Sequence, residues 1–323
     1  MKKIFKNTFN NFKSPYVLSW FILSLTILYV FITVLFEFSD WMIMLYALLI
    51  IPLMFGLSQL YREERVKKSL FKLDYYDGLL AGLAVLLTYL MAHQLDLSAV
   101  IASSFIGLLG FFLLKKYSVA IYCGSFAGMV SSFLFGYLEV ASIALICGLL
   151  FMLLKPVFKG MGGKLGTTAF MSTILIATLF QRDFLIIVND LNIFRLILVS
   201  LLGSIIPFYI QHKFKQSPVF ASALPSLIFA IIMIYLAQDF VTCTVVFFSA
   251  SFIAMSSKNR LSNIYYLVIA ALIHAFLFHV YFEHYNGLGG KLGLMALTSV
   301  IITIGIKYIV NLIILKSKSR DIR

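Results

Sequence analysis

From Pro15 to Phe36 the chain runs for 22 residues without a charged side chain. A helix needs about 20 apolar residues to cross the hydrocarbon core of a bilayer. Comparable windows recur along the whole chain, at about 15–36, 40–60, 77–95, 98–114, 117–135, 138–156, 163–180, 192–211, 217–237, 240–256, 262–282 and 291–314. Lipid offers no partner for backbone N–H and C=O groups, so such windows predict helices that satisfy their own. Composition agrees. Charged residues are 12% of the chain, against about 25% in a soluble domain, and mean hydropathy is +1.00. The expectation is an all-α polytopic membrane protein of about 12 transmembrane helices with no appended catalytic domain. Lys2, Lys3, Lys6 and Lys13 precede the first window. That window exceeds the apolar region of a cleavable signal and no small-residue cleavage site follows, which predicts a signal anchor.

The net charge of +13 is a matter of placement rather than of nucleic acid. Lys and Arg concentrate in cytoplasmic loops of membrane proteins. With a cytoplasmic N-terminus and alternating spans, 22 of the 26 basic residues fall inside, whereas Arg182, Arg195 and Lys291 fall outside and Lys307 lies within the last window. Both termini are therefore expected in the cytoplasm, in the inner (plasma) membrane. No basic run interleaves with aromatics in a soluble segment, so no nucleic-acid partner is expected. The bilayer is the expected partner, with homo-oligomers open. Cys123, Cys147 and Cys243 lie in apolar runs and read as small core residues. No metal spacing, cofactor motif or catalytic set is present, which points away from an enzyme. The most hydrophilic segment, Tyr61–Tyr76, reads as a cytoplasmic linker or short interfacial helix.

Two heptads are nearly identical: Gly160–Gly166 is GMGGKLG and Gly287–Gly293 is GLGGKLG. Upstream of each, at nearly the same distance, stand SFAGM (Ser125–Met129) and SFIAM (Ser251–Met255). A weaker pair is VIAS at Val100–Ser103 and VFAS at Val219–Ser222. The duplication implies three parts: 1–76 with two N-terminal helices and a basic loop, then five-helix units at 77–183 and 184–323. An odd number of spans per unit makes the second an inverted copy of the first, an arrangement typical of transporters. This five-plus-five organisation resembles that of urea-channel-type proteins and of some membrane subunits of redox pumps. The resemblance is one of architecture, and it carries over no residues.

Four features are candidates for a solute site. Gly163 and Lys164, with Gly290 and Lys291, open the seventh and twelfth windows, where free N–H groups, helix dipole and ammonium would favour an anion. The same glycines equally suit a tight loop, with lysine at the headgroups. Ser103 and Ser104 in the fourth window, and Ser222 and Pro225 in the ninth, fall in short or interrupted spans at matching places, a pointer to a transporter site and also to close helix packing. His274, near the centre of the eleventh window, is an ionisable residue at membrane depth, although a hydrogen-bonded packing histidine is the commoner outcome. The expected function is passage of a small solute, with an anion slightly preferred, through a polar cavity lined by the fourth, fifth, ninth and tenth spans. The alternative is a non-transporting subunit or scaffold that docks through its first two helices or the 61–76 loop.

Overall fold

A computed structural model describes residues 15–37, 42–65, 73–185, 192–236 and 241–320. The helices, in chain order, are α1 (Pro15–Glu37), α2 (Met42–Leu48), α3 (Ile50–Arg65), α4 (Tyr75–Gln94), α5 (Ala99–Leu113), α6 (Ser118–Ala127), α7 (Tyr137–Leu154), α8 (Lys164–Leu179), α9 (Ile193–His212), α10 (Pro218–Leu236), α11 (Val241–Ala254), α12 (Ile264–Tyr281) and α13 (Lys291–Arg320). Several starts carry the side-chain cap that their sequence offers. Asp74 accepts from Tyr76 N, Ser98 from Ile101 N, Asn192 from Phe194 N and Asn263 from Tyr266 N. No strand occurs among the described residues.

The protein is a multi-pass, all-helical membrane protein. Among the described residues, eight helices are long and apolar enough to cross: Tyr16–Phe36, Met44–Arg65, Tyr75–Gln94, Tyr137–Leu154, Ile193–His212, Pro218–Leu236, Ile264–Tyr281 and Lys291–Leu315. Three apolar helices are shorter, namely Ala99–Leu113, Lys164–Leu179 and Val241–Ala254. The expected span over 117–135 is helical only from Ser118 to Ala127. Its remainder is irregular, and α4 supplies the missing partners. Tyr89 Oη donates to Phe135 O at 2.7 Å and His93 Nε2 to Val130 O at 2.9 Å. Irregular backbone at this depth is tolerated only where protein satisfies it. The expected 61–76 linker is partly helix. Tyr61–Arg65 ends α3, and buried Glu64 accepts the Phe158 N–H at 3.0 Å. Asp40, Asp190, Asp239, Lys67, Lys68 and Lys72 lie outside the described residues.

Packing runs in matched sets. α4 packs on α6 and α7, as α9 packs on α11 and α12. α5 packs on α6 as α10 does on α11, and α8 touches α6 and α7 as α13 touches α11 and α12. The two sets meet where α5 lies on α10 and where α8 lies on α13. The N-terminal helices are built into this body. α3 lies along α13, and α1 touches α3, α7 and α8. Ser19 Oγ donates to Leu153 O at 3.1 Å, Tyr46 and Tyr281 share a hydroxyl bond at 2.7 Å, and Thr33 and Tyr285 another at 2.6 Å.

Candidate functional site

The two glycine-rich turns meet inside the molecule. Gly163 and Gly290 each stand immediately before a helix with φ of +79° and +85°, and Gly160 and Gly287 have φ of +74° and +86°. Glycine adopts this left-handed backbone without the cost that a Cβ brings. A Cβ on Gly163 would strike Leu297 N and one on Gly290 would strike Phe170 N, while Gly166 lies against Gly293 in backbone contact. α8 and α13 therefore run antiparallel and overlap over about two turns at their N-terminal ends. Each turn also grips the other set. Gly162 packs on Phe252 O and Gly289 on Phe126 O. Ser257 N donates to Gly160 O at 2.9 Å and Ser131 N to Gly287 O at 3.0 Å.

Lys164 and Lys291 are each 8% exposed, so neither lies free at the headgroups. Lys164 Nζ donates to Lys155 O at 2.7 Å, and Lys291 Nζ donates to Phe282 O at 3.2 Å. Lys155 and Phe282 are the residues that end α7 and α12. Both lysines thus cap the negative end of the preceding helix. Lys291 differs by a second contact, to Asn286 Oδ1 at 2.6 Å, with Asn286 Nδ2 donating to Phe282 O at 2.9 Å. Its ammonium has no carboxylate partner among the described residues, and Glu283 makes no ion pair with it.

A cavity of about 470 Å³ opens beside Lys291, between the end of α6, α11, α12 and the turn before α13. Its polar lining is Lys291, Asn286, Thr242 and the Gly287 and Gly290 backbone, and most of the rest is aromatic or aliphatic. A second cavity of about 380 Å³ shares Met129, Val241 and Val245 with it and is lined by α5, α10 and α11. This second space lies where the sequence predicted a polar cavity, but among the described residues Ser98 and Thr244 are its only polar side chains. The charge sits instead at the turn before α13.

Beside the first cavity, α6 and α11 cross through four aromatic rings. Tyr122, Phe126, Phe248 and Phe252 all contact one another, with centroids 4.3–6.5 Å apart. Phe126, Phe248 and Phe252 line the cavity. Two serine pairs flank them. Ser103 bonds Ser125 at 2.9 Å, and Ser222 bonds Ser251 at 2.7 Å and Tyr122 Oη at 2.9 Å. Each second serine also donates to the carbonyl three residues earlier, Tyr122 O or Phe248 O. These buried hydroxyls tie α5 to α6 and α10 to α11.

The remaining candidates sit apart from Lys291. Ser104 is buried and finds no hydrogen-bond partner among the described residues. Pro225 lies inside an unbroken α10, in an apolar groove with Phe229 and Phe247. His274 is fully buried, with Nδ1 2.8 Å from Ser200 Oγ and Nε2 2.7 Å from Ser249 Oγ, a satisfied packing position. It is nevertheless linked to the cavity wall, because Ser249 Oγ donates to Leu292 O at 2.9 Å. Sequence reasoning missed the aromatic cross and Asn286. The cross could have been found by extending the serine repeat: Tyr122 and Phe248 precede the matched serines by three residues, and Phe126 and Phe252 follow them. No protein-family model, curated protein or solved structure matches the chain.

Proposed function

We propose that this chain is a membrane transporter or channel that passes a small solute, with an anion preferred, between two inverted five-helix units at 77–183 and 184–323. The observation that carries this is the cavity at the junction of the two packing sets, lined by the buried Lys291, which has no carboxylate partner among the described residues. Ionisable residues buried in a membrane protein are functional candidates. The matched packing of α4–α8 and α9–α13 supports the duplication, as does the contact of each glycine turn with the opposite set. Twelve crossings follow if α5, α6, α8 and α11 complete their spans with the irregular backbone beside them, as discontinuous transporter helices do. The loop charges support cytoplasmic termini and the inner membrane. α1 and α3 pack on the body and still expose apolar faces, with Leu18, Leu25, Ile51 and Met54 among them, so a scaffold that docks through them stands as the alternative. The test is flux into proteoliposomes. Lys291→Gln should reduce anion flux at least tenfold, whereas an unchanged rate and selectivity would reject the proposal.

A further inference from the structure

The cavity beside Lys291 is mostly apolar, with Lys291, Asn286 and Thr242 as its polar side chains among the described residues. Phe126, Phe248, Phe252, Phe278 and Phe282 supply its aromatic lining. A small hydrated anion fits this poorly. It would shed its water against ring faces that carry negative partial charge, with one ammonium to compensate. An anion with an apolar body suits this mixed lining. Its head takes the ammonium, which has three donors and two neutral acceptors in place. Its body replaces water along the rings, and burial of apolar surface is favourable. A second, almost wholly apolar cavity shares Met129, Val241 and Val245 with it as lining. Both volumes lie within the 300–1,000 Å³ range of organic ligand pockets.

We infer that the solute of this site is an amphipathic organic monoanion, with its carboxylate or phosphate on Lys291 and its apolar body among the phenylalanines. The inference rests on the transport function proposed above and names its substrate class. Two sources share this chemistry: a free carboxylate from water and an anionic phospholipid from the bilayer.

The probes are chloride, acetate, butyrate, hexanoate and octanoate, with octanol as the neutral isostere. Each is titrated calorimetrically into the purified full chain in phosphatidylcholine nanodiscs. Affinity should rise from acetate to octanoate, by up to about fourfold per added methylene, and octanol should bind at least tenfold more weakly than octanoate. Lys291→Gln should weaken octanoate at least tenfold. Val245→Trp, which adds bulk to the wall that the two cavities share, should weaken octanoate and spare acetate. That second variant keeps the test valid if Lys291→Gln does not fold. Adding phosphatidylglycerol to the nanodiscs separates the sources. Competition with octanoate identifies the lipid, and its absence identifies the soluble acid. Chloride and acetate binding as tightly as octanoate, still dependent on Lys291, would overturn this inference and leave the anion path standing. No Lys291-dependent binding of any anion would overturn both. Octanoate uptake equal in wild type and both variants would be partition into lipid and would overturn the inference.

Discussion

Both lysines cap a helix C-terminus, and Lys291 also lines the cavity with Asn286, which separates their roles. Each ammonium neutralises a helix C-terminus through a main-chain carbonyl nine positions earlier. Lys164→Gln should therefore lower stability by about 1–3 kcal/mol, the usual worth of a buried hydrogen bond to a charged group, and leave solute affinity unchanged. Thermal unfolding of the purified protein and anion titration check the two halves of this statement. A loss of affinity equal to that of Lys291→Gln would show that both turns bind solute. The repeat made these lysines legible in the sequence, since GMGGKLG and GLGGKLG place them at the same position. Asn286 was not legible. It has no counterpart in the other turn, and an asparagine in a polar loop carries no signal until its amide is seen on the ammonium. Burial was also hidden, because charge patterning places a lysine on a side of the membrane but not inside or outside the protein.

At the level of helices, the crossing of α8 and α13 depends on the absence of side chains. Gly166 and Gly293 meet backbone to backbone, and a Cβ on either would overlap the other's Cα. Gly166→Ala and Gly293→Ala should each destabilise the protein by about 1–3 kcal/mol, the cost of overpacking an interior that cannot yield. Gly136→Ala should be mild by comparison, since a Cβ there meets only the Glu139 carboxylate. Equal melting temperatures for all three variants would contradict the close crossing. The irregular stretch after α6 makes a second case. Tyr89→Phe leaves the Phe135 carbonyl unpaired and should cost about 1–3 kcal/mol, whereas Leu87→Ala on the exposed face of the same helix should cost far less. Hydropathy located α6 but not its end, because the residues from Gly128 to Gly136 are nearly as apolar as a helix. What ends the helix is tertiary: a Cβ on Gly128 would overlap Val85 O, and Tyr89 and His93 supply the hydrogen bonds that a longer helix would have made itself.

For the whole molecule, the decisive question is how many of the short helices cross. The two counts place particular residues on opposite sides. If all twelve segments cross, Lys116 and Lys213 face the cytoplasm and Asp183 faces outward. If only the eight long helices cross, with the N-terminus again inside, those three positions exchange sides, while Asp96 faces outward under both. All four are exposed, and the native Cys123, Cys147 and Cys243 are buried, which keeps the background low. The eight-crossing arrangement would put Lys115, Lys116, Lys213 and Lys215 outside, against the bias that sets orientation. The expected outcome for single cysteines in intact cells is labelling by a membrane-impermeant maleimide at Asp96 and Asp183, and protection at Lys116 and Lys213 until the cells are opened. Labelling at Lys116 and Lys213 with protection at Asp183 would select eight crossings. The two five-helix units would then no longer be inverted copies, and the route between them would lose the pair of equivalent openings on which transport depends.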